Sequence, residues 1–323
     1  MELNLPLARF RITVEARTPI VFHHYSGSAW RGVFGRALRK AACVTSERDC
    51  EQCMLYRSCV YSYIFETPPP TDARFMRRYT AAPHPFVLSP DPALRELAPG
   101  ERTDLELVLT GKATELLPYV LHALERAGKQ GIGASDGRFD IAAVWQERTP
   151  GDEQWLSIYE AGQLRPTPAT VATPPPLPDT VTLTLATPLR LKHRDRLLSP
   201  NYFPFSGLVA ALLRRYSMMS YFHDAREFIA DFRALVDQAA EVTPLAQSLD
   251  WQDWRRYSSR QRRKIAMGGV VGSVQYRGDE VAPFWPLLWT GQWLHLGKGT
   301  SMGLGRFLVS GDDAVETRDI RAA

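Results

Sequence analysis

The sequence has no apolar stretch of membrane-spanning length, which excludes a protein that crosses the bilayer on a long apolar helix. Residues 1–6 lack the basic region and apolar core of a secretory signal peptide, so we expect a cytoplasmic protein with no membrane partner. Charged residues make up 23% of the chain and apolar residues 45%, which excludes a disordered chain and indicates a globular one.

Cysteine is scarce, and all four cysteines lie within residues 43–59. Cys43, Cys50, Cys53 and Cys59 are separated by six, two and five residues. In a cytosolic protein, clustering around Cys-x-x-Cys favours a metal over disulfides. Four thiolates complete a tetrahedral zinc site, so we predict a structural zinc ion and no catalytic cofactor. An iron–sulfur cluster uses the same number of ligands and is the alternative; four free thiols, or two disulfides formed after purification, are the remaining interpretation.

The two halves of the chain resemble each other. Each half has a strand-like run, a Thr-Pro segment with histidine, a helix with basic residues, and a glycine-rich closing segment. These pieces are residues 10–16, 18–24, 30–39 and 131–139 in the first half, and residues 181–186, 187–193, 205–215 and 297–307 in the second. A repeat of this kind predicts two related domains in tandem.

A proline-rich segment separates the repeats. Residues 166–178 hold six prolines, which have no amide hydrogen and cannot continue a helix or an inner strand. We therefore predict domains at 1–165 and 180–323, joined by a linker at 166–179.

Hydrophobic periodicity predicts the same order of elements in both halves. Predicted strands cover residues 9–16, 105–110, 139–145, 180–187, 270–277 and 305–310. Predicted helices cover residues 28–42, with Ser28 as the N-cap, then 115–127, 205–221, 224–240 and 283–293. Strand, helix, strand, strand, helix and strand is the ferredoxin-like order. The predicted fold is α+β, with two tandem ferredoxin-like domains (of the kind seen in RNA-recognition motifs) and a four-cysteine insert in the first.

Basic residues are concentrated in short clusters, although the formal net charge is only +4. Residues 255–264 contain six cations and no anion: Arg255, Arg256, Arg260, Arg262, Arg263 and Lys264. Trp251, Trp254 and Tyr257 lie beside them, and aromatic rings stack on unpaired bases while cations bind phosphates. We predict contact with RNA here; a solvated helix face or exposed loop is the alternative.

The glycine-rich segment near the carboxyl terminus is a second candidate for binding phosphates. Gly297, Gly299, Gly303 and Gly305 give bare backbone, and Lys298 and Arg306 add cations. The pattern is not a Walker loop, and it precedes a strand, so it is not a dinucleotide fingerprint. A tight structural turn is the alternative.

Both ends of the chain resemble the CRISPR repeat-processing endoribonucleases of the RAMP (repeat-associated mysterious protein) superfamily. The resemblance at the carboxyl end runs from residues 284–288 through 297–299 to 302–307, and at the amino end it covers residues 27–38. It implies two ferredoxin-like domains and metal-independent cleavage of precursor CRISPR RNA within each repeat. In that reaction the 2′-hydroxyl attacks the adjacent phosphate and leaves a 2′,3′-cyclic phosphate. Related members of the superfamily bind RNA as scaffold subunits without cutting it.

Such cleavage needs a base, an acid and cations near the phosphorane. His23 and His24, followed by Tyr25, are candidates because histidine titrates near neutrality and family enzymes often place a catalytic histidine in the amino-terminal domain. Arg31 and Arg36 are candidates for stabilising the transition state, and Lys40 on the same predicted helix is a candidate RNA contact. Lys192 and His193 are the repeat partners of His23 and His24, and we expect them to contact RNA.

The sequence therefore predicts an endoribonuclease that matures CRISPR RNA. The expected partners are CRISPR repeat RNA, as a hairpin with a single-stranded flank, and a larger CRISPR effector complex. Two alternatives stay open: a RAMP scaffold subunit that binds guide RNA without cutting, and a zinc- or iron–sulfur-containing regulator that binds nucleic acid. The second alternative leaves the repeat of the two halves unexplained.

Overall fold

The computed structural model describes residues 1–71, 82–160, 162–258 and 263–311. Two of the predicted RNA contacts, Arg260 and Arg262, lie outside the described residues. The chain forms two compact units. The amino-terminal unit comprises residues 5–171 and 217–227, and the carboxyl-terminal unit comprises residues 1–4, 172–216 and those that follow 227. This division differs from the predicted domains because residues 1–4 and 217–227 each belong with the other half of the chain.

The amino-terminal unit has ten strands and two α-helices among its described residues. They are β1 (Pro6–Ala16), β2 (Ile20–Val21), α1 (Gly27–Ala42), β3 (Phe86–Pro90), β4 (Glu96–Leu97), β5 (Arg102–Thr110), α2 (Leu117–Gln130), β6 (Phe139–Glu147), β7 (Trp155–Ser157), β8 (Tyr159–Glu160), β9 (Gln163–Leu164) and β10 (Thr170–Val171). Short turns of 3-10 helix cover Cys50–Gln52 and Gly111–Leu116, and a π turn covers Ser62–Glu66.

The main sheet of this unit has the order β3-β5-β1-β6-β7, with antiparallel pairing throughout. β1 alternates as its sequence predicts, so that Phe10, Ile12 and Val14 are buried while the residues between them are half-buried. On the covered face, Trp30 of α1 is fully buried, with its ring 5.0 Å from that of Phe139. The predicted helix is therefore present, although it starts at Gly27, with Ser26 rather than Ser28 at the N-cap position.

The carboxyl-terminal unit repeats this arrangement. Its elements are β11 (Thr180–Leu189), β12 (Lys192–His193), β13 (Arg196–Leu197), α3 (Phe205–Asp224), α4 (Phe232–Ala240), β14 (Ala246–Gln252), β15 (Arg255–Ser258), β16 (Arg263–Ala266), β17 (Gly269–Arg277), α5 (Gly278–Val281), α6 (Trp285–Leu294) and β18 (Phe307–Ser310). In the loop before β18, residues Thr300–Met302 form a turn of 3-10 helix.

Its sheet has the order β14-β17-β11-β18, again antiparallel. In both units the first and third strands of the strand-helix-strand-strand-helix-strand order lie at the centre, which is the ferredoxin-like topology. Gly291 of α6 approaches α3 so closely that a Cβ atom there would lie 2.4 Å from the side chain of Leu212. The prediction of two tandem ferredoxin-like domains is confirmed.

Some elements differ from the predictions. The predicted helix over residues 224–240 is wrong in its first half, because α4 begins at Phe232. β3 and β14 complete the two sheets but carry no predicted strand, and the described parts of the basic run, residues 255–258 and 263–266, pair as two antiparallel strands rather than forming a helix face or a loop. Within the described residues, no helix combines the length and the apolar character that crossing a membrane requires.

Candidate nucleic-acid interface

A glycine turn in the amino-terminal unit packs against the end of β2. The amide of Ala134 donates to the carbonyl of Val21 at 2.9 Å, and the amide of Arg138 donates to Thr18 Oγ1 at 2.7 Å. Gly133 has a φ of +80°, and a Cβ atom there would lie 2.5 Å from the oxygen of Val21. Glycine is required at this position because both the left-handed backbone and the close approach exclude a side chain.

The glycine-rich loop in the carboxyl-terminal unit makes the same contacts. The amide of Lys298 donates to the carbonyl of Arg190 at 3.1 Å, and the amide of Arg306 donates to Thr187 Oγ1 at 2.9 Å. Gly297 has a φ of +76°, and its Cβ atom would lie 2.4 Å from the oxygen of Arg190. The two units thus form equivalent hydrogen bonds at equivalent positions of the sequence repeat.

These contacts restrict what the glycine-rich loop can offer to a ligand. Gly303 and Gly305 are buried, and their amides donate to Thr300 O at 3.0 Å and Pro188 O at 3.1 Å. Gly299 is half-buried, and a Cβ atom there would lie 2.9 Å from Met267. The exposed part of the loop is Gly297 and Lys298, so the backbone of the later glycines serves the turn itself.

The β12–β13 hairpin, which carries the predicted RNA contact Lys192, follows Arg190, and Arg190 contacts this exposed part of the loop. Lys192 is exposed on the β12–β13 hairpin, whose turn carries Arg194 and Asp195 at positive φ. The Arg190 guanidinium donates to Gly268 O at 2.9 Å. Arg190 also accepts the amide of Lys298, so the base of this hairpin and the glycine-rich loop are adjacent.

His193 is half-buried beside the start of α3, where a Cβ atom on Gly207 would lie 3.1 Å from its side chain. Burial lowers the pKa of His193, and the positive charge of Arg194 lowers it further. The imidazole is therefore neutral over more of the pH range than an exposed histidine.

The described residues of the basic run lie on the paired strands β15 and β16. Arg255 and Arg256 belong to β15, and Arg263 and Lys264 belong to β16. The hairpin is closed at its base by a hydrogen bond from the amide of Met267 to Trp254 O at 2.8 Å. Since Met267 also touches Gly299, this base adjoins the glycine-rich loop in the same unit.

His23 and His24 lie in the amino-terminal unit, in a bend between β2 and α1, and both are exposed. The strand ends at Val21, so the two side chains are not held on opposite faces of a sheet. The bend is anchored by Ser135, whose hydroxyl donates to Pro19 O at 2.9 Å and accepts the amide of Val21 at 3.2 Å. Tyr25 follows the histidines and is half-buried.

Arg31 has a histidine neighbour that the sequence did not reveal. Its guanidinium donates to Nε2 of His84 at 3.1 Å and lies 5.0 Å from the ring centre of Phe65. His84 in turn stacks on Phe86, with ring centres 5.7 Å apart. No sequence signal links His84 to Arg31, because 53 residues separate them. Arg36 and Lys40 are exposed further along α1.

The four cysteines are half-buried and reduced, and all of them line one cavity of about 20 Å³. As placed, no three histidine, cysteine, aspartate or glutamate side chains of the described residues are arranged to hold one metal ion. Burial raises the pKa of Cys50, whereas amide hydrogen bonds from Ser46 and Thr45 outweigh burial at Cys43 and lower its pKa. The predicted zinc ion therefore lacks support from these side-chain positions.

Comparison with known protein families matches both halves of the chain. Residues 5–171 match the model of the family AF_1859_N, an N-terminal domain, which covers about half of the chain. Residues 183–307 match the model of CRISPR-associated endoribonuclease Cas6. An uncharacterized protein of Archaeoglobus fulgidus is 25% identical over 178 residues, which are 51% of this chain. That match spans 58% of the length of the relative.

Solved structures share the fold. A product complex of Cas6 (TTHB231) superposes with a TM-score of 0.55 at 16% identity, covering 94% of this chain and 99% of that one. Thermus thermophilus Cas6 (TTHB231) gives a TM-score of 0.51 at 13% identity, covering 96% and 100%. A partial Cas6-RT-Cas1–Cas2 complex gives 0.55 at 10% identity, covering 96% of this chain and 47% of that one. At these identities the likeness concerns the fold alone.

Proposed function

We propose that this chain, which belongs to the AF_1859_N family over residues 5–171 and matches the model of CRISPR-associated endoribonuclease Cas6 over residues 183–307, cleaves precursor CRISPR RNA within its repeats. The observation that carries the proposal is the composition of the Cas6-matching region, residues 183–307. That region contains the glycine-rich loop, the β12–β13 hairpin and the basic β15–β16 hairpin, which adjoin one another. Clustered cations of this kind bind phosphates and release counterions.

The proposed chemistry needs no bound metal. A base takes the proton of the 2′-hydroxyl, the 2′-oxygen forms a bond to phosphorus, and the bond to the 5′-oxygen breaks. An acid gives the leaving 5′-oxygen its proton, and the products are a 2′,3′-cyclic phosphate and a 5′-hydroxyl. His23 and His24 are our candidates for base and acid, with Tyr25 as a further proton donor, because both imidazoles are exposed in the bend between β2 and α1 and histidine is the most frequent general acid and base in enzymes. Arg31 and Arg36 would stabilise the charge that develops on the phosphorane.

RNA binding is proposed for both units. The proposed contacts are Lys40 in the amino-terminal unit, and Lys192, His193, Arg255, Arg256, Arg260, Arg262, Arg263, Lys264, Gly297, Lys298, Gly299, Gly303, Gly305 and Arg306 in the carboxyl-terminal one. Among the glycines, Gly297 is the best placed because it is exposed, while Gly303 and Gly305 act by shaping the loop. The proposed ligand is CRISPR repeat RNA, a hairpin with a single-stranded flank, and a larger CRISPR complex is a further proposed partner.

A structural zinc ion at the four cysteines is a separate part of the proposal. It is supported by the four cysteines lining one cavity, and an iron–sulfur cluster, which uses the same number of thiolate ligands, is the alternative. Zinc bound by four thiolates would hold the loop after α1 in one conformation. Elemental analysis of protein purified without added metal would give one zinc per chain. Iron with visible absorption would favour the cluster instead, and a metal-free folded protein would refute both.

The test of the function is incubation of the protein with its own labelled repeat RNA in EDTA, followed by mapping of the product ends. One discrete cut that leaves a cyclic phosphate is the expected result. His23→Ala and His24→Ala should lower the cleavage rate far more than the RNA affinity. His122→Ala is the matched control, since His122 is exposed on α2 and has no proposed role.

Two outcomes would change the assignment. Normal cleavage by both histidine variants would refute the choice of catalytic residues but leave the nuclease. Tight binding without any cut would identify a scaffold subunit that holds guide RNA. Lys298→Ala should weaken binding and reduce its salt dependence in either case, because it removes one phosphate contact.

A further inference from the structure

The second half of α1 and the loop that follows it form an open, basic groove. The groove has a volume of about 650 Å³. It is lined by Arg36, Arg39, Lys40, Cys43, Ser46, Glu47 and Arg48. Four of these seven residues are cations and one is an anion, which gives the groove a formal charge of about +3. We name this surface, defined by these seven residues, the α1 groove.

Arg39 holds the loop in place on the helix. Its Nη2 atom donates to the carbonyl oxygens of Glu47 and Arg48, both at 2.7 Å. Its guanidinium lies 5.7 Å from the ring centre of Tyr61, which supports it from the other side. These contacts place Arg48 along the same groove as Lys40, which lies in the last turn of α1. Three of the four cations thus lie on the helix, and the fourth, Arg48, lies in a loop that Arg39 holds to the helix.

The charge of the groove is not neutralised by carboxylates. Elsewhere in the same unit, Arg9, Arg11, Arg17, Arg102 and Arg148 each lie within 4 Å of an acidic side chain. Among the ion pairs of the described residues, none involves a cation of the α1 groove. The one carboxylate there, that of Glu47, accepts the amide of Arg48 at 2.7 Å instead.

The end of the helix offsets only part of this charge. The carboxyl end of an α-helix carries about half a negative charge, which favours Arg39 and Lys40 in its last turn. It does not balance Arg36, which lies a turn earlier, or Arg48, which lies in the loop. The remaining positive charge favours an anionic ligand along the length of the groove.

We propose that the α1 groove binds the phosphate backbone of RNA, without regard to base sequence. The inference rests on the proposed function, in which this chain handles an RNA substrate. The lining has no aromatic ring on which a base could stack and no large apolar side chain, which a protein interface needs as its buried anchor. Phosphates are therefore the ligand that the groove fits, and an acidic protein segment is the outcome that the test must distinguish.

The test compares salt-dependent RNA affinity of the wild type and the double variant Lys40→Ala/Arg48→Ala. The probes are the repeat RNA with a 2′-deoxy residue at the cut, which prevents cleavage, and a scrambled RNA of equal length. Each phosphate contact to single-stranded RNA contributes about 0.7 to the slope of log affinity against log salt. The double variant should therefore lower the slope by about 1.4 with both probes.

The controls separate charge from folding. Arg102→Ala removes one exposed cation that is paired with Glu15, so its slope should match that of the wild type. Lys40→Arg/Arg48→Lys keeps both charges and should keep the slope, and thermal denaturation would show whether each variant is folded. An unchanged slope in the folded double variant would refute the inference. The inference would also be refuted if the double variant bound RNA normally but no longer bound an acidic peptide, because the groove would then be a protein-binding site.

The result does not depend on whether the chain cuts RNA. If the wild type cleaves its repeat RNA while the double variant binds RNA with normal affinity, RNA binding by the α1 groove is refuted and the proposed function stands. If the wild type cleaves no RNA while the double variant still loses RNA affinity, RNA binding by the groove is supported and the nuclease assignment is refuted.

Discussion

The hydroxyl of Thr187 joins the glycine-rich loop to the end of β11, and its removal gives a quantitative test of the repeat. Thr187 is buried, and its Oγ1 atom donates to Gly303 O at 2.8 Å and accepts the amide of Arg306 at 2.9 Å. Thr187→Val keeps the shape and leaves both backbone groups without this partner. An unsatisfied buried polar group costs about 1–3 kcal/mol, so the loss of both partners should cost the variant about 2–6 kcal/mol of stability.

The equivalent threonine of the other unit supplies the matched control. Thr18 accepts the amide of Arg138 at 2.7 Å, but both residues are exposed, so water can replace the hydroxyl. Thr18→Val should therefore cost less than about 1 kcal/mol.

Hydrogen exchange of the amides between Lys298 and Arg306 is the assay, because two units need not unfold in one step. Protection of those amides should fall about 30-fold or more in Thr187→Val, whereas protection of the equivalent amides of the other unit, those of residues 134–138, should fall about fivefold or less in Thr18→Val. Equal effects of the two substitutions would refute the reasoning that burial decides the cost.

Two further substitutions test the loop and its neighbouring hairpin. Gly305→Ala should prevent stable folding of the carboxyl-terminal unit, since Gly305 has a φ of +67° and its Cβ would lie 1.8 Å from Leu296 O. Gly100→Ala has the same left-handed backbone but open space, so urea denaturation should show a loss of only about 1 kcal/mol. Arg194→Ala should raise the pKa of His193, as measured by NMR titration, because one of the two causes that lower it is removed. Because the pKa of His193 is lowered in the folded protein, the unfolded chain binds the proton more readily. The free energy of unfolding therefore falls as the pH drops through the pKa of an unfolded histidine, and this fall should be smaller in Arg194→Ala.

The fold was predictable because its signals are local. The alternation in β1 and β11 follows from burying one face of each sheet, and the stripe that includes Trp30 follows from burying one face of α1. Proline, glycine and threonine at matching positions revealed the repeat before any contact was known. These patterns determine which residues face the core, and together with the order of elements they are sufficient to identify a ferredoxin-like domain.

The missed elements have weaker local signals. β14 is largely exposed at the edge of its sheet, so it shows little alternation of polar and apolar residues. The β15–β16 hairpin has a run of cations that fits a helix face as well as a strand. Contacts such as that between Arg31 and His84 depend on tertiary packing, and periodicity cannot predict them. The grouping of the cysteines round one cavity followed from their spacing, whereas the positions of their sulfur atoms did not.

The two glycine segments share one scaffold and differ where a ligand would lie. Gly133 and Gly297 make equivalent contacts, and so do Gly137 and Gly305 through Ile132 and Leu296. Seven residues lie between Gly297 and Gly305 and three between Gly133 and Gly137, and the longer loop includes the buried side chains of Met302 and Leu304.

The residue after the first glycine of each pair is Ala134 in one unit and Lys298 in the other, on the same hydrogen-bonded amide. A cation on a backbone already fixed by the sheet loses little entropy when it binds a phosphate. His295 strengthens the same argument, because it occupies a positive φ of 54° where the repeat has Gly131. Its buried ring donates from Nδ1 to Leu304 O at 3.2 Å and so braces the longer loop from inside. The carboxyl-terminal loop is therefore longer, is held by the additional hydrogen bond of His295 and carries a cation, whereas the amino-terminal turn has alanine at the equivalent position.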